Sequence, residues 1–509
     1  MSPAVPTSGT SGDSAVTTTP EQDALAVLQP GFAGTTAPDW VLRLLGEGLG
    51  SVGLFARNIE TPEQLTALTA QLRAVRPDVL VAADEEGGDV TRLEARGGSS
   101  FPGNLALGSV DDLKLTRAVA AELGRRLAEC GVNFNWAPSA DVNSDPGNPV
   151  IGVRSFGADP DLVARNTVAY IEGLQSAGVA ACVKHFPGHG DTATDSHLAM
   201  PRVDVDAATL QTRELVPFRA ALAAGAKVVM SAHILVPALD PELPATLSPA
   251  ILGGLLRAPR EQGGLGYDGL VVTDGIEMQA ISATYGIERG TVMALAAGAD
   301  AICVGGGHSD EQTALDLRDA IVAAVADGSL PAERLADAAR RVRDLAAWAL
   351  ARSGTFAGMP SGSDVGLEAA RRAVRVTRGP GFTPLEGAPY VAAFAPVANI
   401  AVGDVTPWGP GAELARALPG TESGTYRSAE VDGLLAAAGG RRIVAVVRDA
   451  HRHRWMAAAL ASLVVARPDT VVVEMGVPQS PPTGSLYVAT HGAARVCGEA
   501  AAEAILSAR

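Results

Sequence analysis

The polar segment KHFPGHGDTATDSH, residues 184–197, holds the densest group of titratable side chains in the chain. It contains three of the eight histidines, two aspartates and one of the three lysines. Because the segment follows an apolar run and is interrupted by Pro and Gly, we expect a loop, and loops can carry titratable groups without burying them. The residue types fit three interpretations: a polar loop without a catalytic role, a metal site with His and Asp ligands, or an acid/base centre.

A single aspartate, Asp274, ends the apolar run within GLVVTDGIEM, residues 269–278. A carboxylate held at the end of a buried strand is suited to act as a nucleophile. An aspartate that caps a helix or a turn occurs in the same kind of position. The position alone therefore leaves both roles open.

Two further segments combine charged residues with turn-forming glycines. DEEGGDVTRL, residues 84–93, places three acids before a Gly pair, and NPVIGVRSFG, residues 148–157, contains the single arginine Arg154. Carboxylates in such a loop can bind a metal ion or pair with arginines and hydroxyl groups. The triple glycine 305–307 is only a weak phosphate-loop signal, since it lacks the Lys-Ser/Thr ending of a P-loop.

The elements that would position these groups are short apolar runs that alternate with amphipathic helical segments. Seven such runs are Val52–Phe55, Val79–Ala83, Val132–Trp136, Val179–Val183, Lys227–Ser231, Leu270–Thr273 and Ala301–Val304. Repeated β-then-α order predicts a parallel sheet with both faces covered. About eight units in about 300 residues favour a (β/α)₈ barrel of the TIM type over an open doubly wound sheet. Since polar residues directly follow the strands, we expect them to meet at the C-terminal face of the barrel.

The length of 509 residues predicts more than one domain, because single hydrophobic cores rarely grow that large. We expect a flexible tail over residues 1–20, a catalytic barrel over 21–352, a Gly/Ser-containing linker over 353–383 and a smaller α/β domain over 384–509. The last region restarts the α/β pattern without a polar cluster of comparable density. We therefore expect it to supply no catalytic group.

Composition excludes several classes of protein. The net charge of −16 argues against a protein that reads the nucleic-acid backbone, which needs a basic face. The four cysteines lie far apart without a CxxC pair, so we expect neither a disulfide framework nor a zinc site, and a reducing compartment fits. The N-terminus lacks a basic start and an apolar core, and no apolar run is long enough to span a membrane, so we expect a cytoplasmic protein.

Together, these segments resemble the signature of family 3 glycoside hydrolases, in the β-N-acetylglucosaminidase (NagZ-like) branch. KHFPGHGDTATDSH, DEEGG followed by Arg92, NPVIGVRSFG and VVTDGIEM stand in the order and approximate spacing of that family, and residues 230–248 are similar to a further family segment. The resemblance covers roughly residues 28–348. The C-terminal region resembles, more weakly, the αβα sandwich domain of longer members.

The resemblance implies a role for eight residues. Asp274 would be the nucleophile, His197 the general acid/base and Asp195 the group that orients this histidine; the sugar would be held by Asp84, Arg92, Arg154, Lys184 and His185. Asp89 departs from the family, which more often has arginine after the Gly pair, and Glu85 departs from a frequent glutamine. No metal and no organic cofactor is implied.

The implied activity is that of a retaining exo-β-N-acetylglucosaminidase acting on cell-wall (muropeptide) or chitin-type oligosaccharides. Retention requires a nucleophile on one face of the sugar and a proton donor near the leaving oxygen. A histidine donor suits the second role, because its ordinary pKa of about 6.5 lies near working pH. The alternatives are a phosphorylase on the same scaffold, a metal-dependent hydrolase, and a sugar-binding protein without activity. The metal-dependent hydrolase would use residues 184–197, here called the His/Asp loop.

Overall fold

A computed structural model describes residues 18–194, 199–359, 362, 364–396 and 406–508. The first of its two domains contains eight short parallel strands, which confirms the predicted α/β barrel. These strands are β1 (Leu28–Pro30), β2 (Ser51–Leu54), β3 (Leu80–Ala83), β4 (Phe134–Asn135), β5 (Ala180–Phe186), β6 (Val228–Ser231), β7 (Leu270–Thr273) and β8 (Ile302–Val304).

The strands follow one another around the barrel in sequence order. Strands β2 to β7 form one six-stranded parallel sheet, and β1 pairs with β8. A parallel bridge between Val272 and Ala301 joins β7 to the start of β8. On the other side, the Ser51 hydroxyl donates to the Leu28 carbonyl at 3.2 Å where β2 passes β1. The C-terminal ends of all eight strands therefore lie at one face.

Helices pack against these strands. They are α1 (Pro20–Ala26), α2 (Asp39–Glu47), α3 (Pro62–Val75), α4 (Asn104–Val110), α5 (Leu113–Glu129), α6 (Pro160–Ser176), α7 (Ala207–Thr209), α8 (Leu215–Ala223), α9 (Gln279–Tyr285), α10 (Ile287–Ala297), α11 (Glu311–Asp327) and α12 (Ala332–Leu350), with a π-helical turn, Leu210–Glu214, joining α7 to α8.

Local sequence explains these helices. In α3, the Thr61 hydroxyl caps the first turn by accepting from Gln64 N, and Pro62 occupies the first helical position. Helices α5 and α6 pack closely because Gly173 has no side chain: a Cβ there would lie 2.5 Å from the Arg117 carbonyl oxygen. The strands are buried on both faces, inside the barrel by facing strands and outside by the helices, which explains their nearly continuous apolar sequence.

The second domain is built on a six-stranded sheet in the order β11-β10-β12-β13-β14-β9. Its strands are β9 (Arg375–Arg378), β10 (Tyr390–Phe394), β11 (Glu422–Tyr426), β12 (Ile443–Val447), β13 (Val471–Glu474) and β14 (Leu486–Ala489), and its helices are α13 (Val365–Ala373), α14 (Gly411–Ala417), α15 (Asp432–Ala438), α16 (Arg454–Ala466) and α17 (Arg495–Ser507). Five strands are parallel, and β9 runs antiparallel to β14 at one edge.

The predicted linker over 353–383 needs correction, because this segment contains helix α13 and strand β9. Strand β9 belongs to the sheet of the second domain, and α13 packs against α4 and α5 of the barrel. All four residues of β9 are exposed, so the strand lacks the apolar pattern that marks a buried strand. Among the described residues, no helix combines the length and the apolar character needed to cross a membrane.

Candidate active site

A cavity of about 370 Å³ opens at the C-terminal face of the barrel. Six of the eight residues predicted for the site line it: Asp84, Arg92, Arg154, Lys184, His185 and Asp274. These residues come from four separate segments, which the barrel brings together at the ends of its strands. The other two predicted residues, Asp195 and His197, lie outside the described residues.

Asp274 directly follows strand β7 and is partly exposed to the cavity. Its backbone N–H donates to the Ser231 carbonyl at 3.1 Å, so the main chain is tied to the neighbouring strand β6. Its Oδ1 accepts a 2.8 Å hydrogen bond from Gly275 N. The position is thus that of a carboxylate held on a rigid strand end, as expected of a nucleophile.

Lys184 lies at the centre of a buried network of charges. Its Nζ lies 2.6 Å from carboxylate oxygens of both Asp84 and Glu86. Arg92 pairs with Asp84 at 3.0 Å, and Arg154 pairs with Glu86 at 2.7 Å. Buried charges are tolerated when each is paired and hydrogen-bonded, and two carboxylates here share three cations. The network presents charge-assisted donors and acceptors to the cavity.

Proton affinities in this network follow from the pairing. Burial raises the pKa of the Glu86 carboxyl, but Arg154 and Lys184 outweigh burial and hold this pKa well below its usual range. Burial also acts to raise the pKa of Asp84, but Lys184 and Arg92 outweigh burial, and this pKa lies below its ordinary value. For Lys184, burial lowers the pKa, whereas Asp84 and Glu86 raise it above its ordinary value. Asp84, Glu86 and Lys184 are therefore charged at neutral pH.

Glu86 had no assigned role in the sequence-based prediction, although it belongs to the DEEGG segment. It does not line the cavity, and its side chain is only 3% exposed. Glu86 lies behind Lys184 and Arg154 and forms ion pairs with both of them. The run of three acids was the signal that pointed to this residue, but sequence spacing does not say which of the three faces which cation.

His185 is held by Asp141, a second residue without an assigned role. The Nδ1 atom of His185 lies 2.7 Å from Asp141 Oδ2, and its Nε2 lies 3.4 Å from an Nη of Arg154. Asp141 is fully buried and also accepts from His189 N at 2.7 Å. Burial raises the pKa of Asp141, but His185 outweighs it, so the pKa lies well below the usual range. An ionised Asp141 fixes the tautomer and the orientation of the ring.

The described part of the His/Asp loop, up to residue 194, packs closely against neighbouring segments. A Cβ on Gly190 would lie 1.7 Å from the Val142 carbonyl oxygen, so only glycine fits there. The Asn148 side chain donates to the His189 carbonyl at 2.9 Å, which ties this loop to NPVIGVRSFG. Burial, followed by the proximity of His185, lowers the pKa of His189 to about 4, so its imidazole is neutral.

The two departures from the family pattern, Glu85 and Asp89, have different partners. Glu85 is buried beneath the loop, and its Oε2 accepts from Thr91 Oγ1 at 3.1 Å and from Arg92 N at 2.7 Å. Burial raises the pKa of Glu85 to about 7. Asp89 does not line the cavity: its carboxylate is bound by Arg448 of the second domain.

The cavity lining also includes Glu277, Arg57 and Gly306. The backbone N–H groups of Gly305 and Gly306 both donate to Glu277 Oε1. The glycine run therefore binds a carboxylate of the chain itself, which accounts for it without a phosphate. Thr406 of the second domain also lines the cavity, so that domain contributes to its wall.

The three histidines of the second domain lie away from the cavity. None of His451, His453 and His491 lines it. The Nε2 atom of His451 lies 2.7 Å from the Pro146 carbonyl oxygen, a contact between the domains. The four cysteines are buried and free. In the part of the chain that the structure describes, no three His, Cys, Asp or Glu side chains are arranged to hold a metal ion.

Comparisons with known proteins point to one family. Residues 35–345 match the family model described as the glycosyl hydrolase family 3 N-terminal domain. A β-hexosaminidase A of Pseudoalteromonas piscicida is 37% identical over 53% of this chain and 48% of its own length, so the chain spans about half of that relative. A β-hexosaminidase of Alkalilimnicola ehrlichii is 39% identical over 50% of this chain and 73% of its own.

A solved structure resembles both domains. The family 3 β-N-acetylglucosaminidase of Paenibacillus sp. str. FPU-7 superposes with a TM-score of 0.84 at 35% identity, covering 96% of this chain and 97% of that one. The family resemblance seen in the sequence is thereby confirmed, for the barrel by the matching family model and for the two-domain form by this structure. The chain belongs to glycoside hydrolase family 3.

Proposed function

We propose that this protein is a retaining exo-β-N-acetylglucosaminidase that releases terminal β-linked N-acetylglucosamine through a covalent glycosyl–aspartate. One observation carries the proposal: Asp274 shares a single cavity with the paired charges of Asp84, Arg92 and Lys184. A nucleophilic carboxylate next to several fixed hydrogen-bonding groups is what attack on a bound sugar requires. The names of the similar β-hexosaminidases point to the same substrate class.

In the proposed first step, a carboxylate oxygen of Asp274 forms a bond to the anomeric carbon, and the bond to the leaving oxygen breaks. His197 donates a proton to that oxygen, and Asp195 holds the imidazole in the orientation that this transfer needs. In the second step, neutral His197 removes a proton from water, whose oxygen attacks the same carbon and releases Asp274. The two inversions together retain the β configuration.

The sugar would be held by the charged network. Asp84 can still accept from sugar hydroxyls, because a carboxylate has about four acceptor sites and, within the described part of the chain, Lys184 and Arg92 use two of them. Arg154 and His185 face the same cavity and can bind hydroxyl or amide oxygens. Since Glu86 and Asp141 fix these two side chains, the donors need little reorganisation when the sugar enters.

The natural leaving group is proposed to be a cell-wall (muropeptide) or chitin-type saccharide. The cavity volume of about 370 Å³ lies in the range of small-molecule sites and suits a terminal residue rather than a long chain. A cytoplasmic location is also proposed, because the four free cysteines fit a reducing compartment.

One experiment tests the proposal against its alternatives. Turnover of an aryl β-N-acetylglucosaminide and of the matching aryl β-glucoside is measured with and without inorganic phosphate, and before and after treatment with a chelator. We expect turnover of the first substrate only, with free N-acetylglucosamine as the product under all conditions. Formation of a sugar 1-phosphate would establish the phosphorylase, and loss of activity on chelation that added metal restores would establish the metal-dependent hydrolase.

A further inference from the structure

The loop that carries Asp84 and Arg92 is also in contact with the second domain, through Asp89. This residue lies between the two sugar-binding candidates in sequence, but its side chain does not line the cavity. Arg448, directly after strand β12, forms an ion pair with the Asp89 carboxylate. Ala493 N, which follows β14, donates to the same carboxylate at 2.7 Å. Two separate segments of the second domain therefore bind one side chain of this loop.

The contact is buried and leaves the Asp89 carboxylate little freedom. The Asp89 side chain is 1% exposed and that of Arg448 is 16% exposed. A buried carboxylate needs a cation and further hydrogen bonds to offset the loss of water, and here both come from the second domain. Removing Arg448 would leave this buried carboxylate with the Ala493 N–H as its one remaining partner among the described residues, which is unfavourable. The loop would then be expected to move.

Movement at Asp89 would be transmitted to the cavity because the loop is short and tightly folded. Gly88 has φ of +68°, and a Cβ there would lie 2.4 Å from Gly103 Cα, so the turn is closely packed. Glu86 N donates to the Val90 carbonyl at 3.1 Å across the turn. Asp89 is thus separated from Glu86, the partner of Lys184 and Arg154, by one tight turn.

We propose that Arg448 is a positioning residue: through Asp89 it holds the loop 84–92 in the conformation that binds the sugar, so that the second domain completes the binding site without contributing a reacting group. The inference rests on the proposed function, because it takes Asp84 and Arg92 as sugar-binding residues. It gives the second domain a defined role in substrate affinity, beyond packing against the barrel.

The test compares two ion pairs that both join the domains. Arg448→Met and Arg448→Gln remove the cation that binds Asp89. Arg372→Met is the matched control, because Arg372 pairs with Asp112 across the same two domains at 2.9 Å but lies on the exposed surface and does not touch the loop. Each full-length variant is assayed for kcat and KM on an aryl β-N-acetylglucosaminide, and amide hydrogen exchange is followed in residues 84–93 without substrate.

We expect both Arg448 variants to raise KM about tenfold and to leave kcat within about threefold, since the lost interactions hold the sugar in both the ground state and the transition state. Exchange in residues 84–93 should become faster in these variants and remain unchanged in Arg372→Met. Arg448→Lys, which retains the charge, should recover most of the affinity. Asp89→Asn combined with Arg448→Met should raise KM no more than either change alone, because both break one interaction.

Three results would overturn the inference. One is an unchanged KM and unchanged exchange in folded Arg448 variants. Another is an equal effect of Arg372→Met, which would mean that any weakening of the domain interface suffices. The third is failure of both neutral Arg448 variants to fold, which would make the ion pair a requirement of the whole fold. If the wild-type protein did not cleave the aryl substrate, the proposed function would fail, whereas the exchange measurement would still test the link between Arg448 and the loop.

Discussion

The Nδ1 atom of His185 lies 2.7 Å from Asp141 Oδ2, and Asp141 is fully buried. The same carboxylate accepts backbone hydrogen bonds from His185 and His189 through its other oxygen, at 3.2 and 2.7 Å. One aspartate thus organises both the imidazole that faces the cavity and the start of the His/Asp loop. Asp141 thereby supports the sugar-binding role proposed for His185.

Asp141→Asn should lower kcat/KM by about 10- to 100-fold, because an amide has one oxygen and cannot accept both from the ring and from the two backbone N–H groups. Ser139→Ala is the control, since the Ser139 hydroxyl donates to Asp141 at 2.9 Å and its loss leaves the bond to His185 in place. Steady-state kinetics on the aryl substrate checks this. Equal activity of the two variants would show that the orientation of His185 does not depend on Asp141.

Asp274→Ala should reduce turnover by several orders of magnitude, because no other group would form the glycosyl–enzyme. The wild-type protein should be labelled by a 2-fluoro or 5-fluoro glycosyl trap, and the variant should not. Peptide mass spectrometry locates the label. Its attachment to a peptide that lacks Asp274 would refute the assignment of the nucleophile.

His197→Ala should slow substrates with poor leaving groups far more than activated aryl glycosides, which need little protonation. Asp195→Asn should give the same pattern with a smaller loss, because the histidine remains but is less well oriented. A series of aryl leaving groups of different pKa measures the effect. If the loss were the same across the series, His197 would not be the proton donor.

The raised pKa of Glu85 predicts that the stability of the fold depends on pH. Its pKa is raised by burial from 4.5 to about 7, so the folded protein binds this proton more tightly than the unfolded chain does. Glu85 therefore destabilises the fold increasingly as pH rises from about 4.5 to about 7, and the cost then levels off. Glu85→Gln should raise the free energy of unfolding at pH 8 by up to about 3 kcal/mol, at about 1.4 kcal/mol per pKa unit, and change it little at pH 4.5.

Denaturant unfolding at these two pH values measures this effect. The exposed Glu386→Gln serves as the control and should show little difference between them. A gain in stability for Glu85→Gln that is equal at pH 8 and pH 4.5 would have to come from altered packing rather than from ionisation.

Replacing His451, His453 and His491 by alanine, one at a time in the full-length protein, should leave the rate on the aryl substrate within a few-fold, because none of them lines the cavity. The contribution of the second domain to the cavity wall comes instead from Thr406. Kinetics and a thermal melt of each variant check this. A hundredfold loss in any variant that remains folded would show that the second domain supplies a catalytic group.

The sequence by itself was sufficient for the barrel and for the place of its chemistry. Continuous apolar strands alternating with amphipathic helices imply a covered parallel sheet, and polar residues directly after the strands must then lie at one face. This local pattern places the segments that carry Asp84, Lys184 and Asp274 at that face, and the family resemblance picks out these residues within them. The exposed strand β9 was missed, because periodicity reports burial and this strand has none.

Only the tertiary structure decided which charged groups act together. Glu86 and Asp141 lie behind the residues that face the cavity, and their partners come from other strands, so no spacing along the chain identifies the pairs. Asp89 and Arg448 are 359 positions apart. An ion pair of this kind depends on how two domains dock. A local sequence pattern cannot predict such a contact between domains, because it reflects only how each element is buried within its own domain.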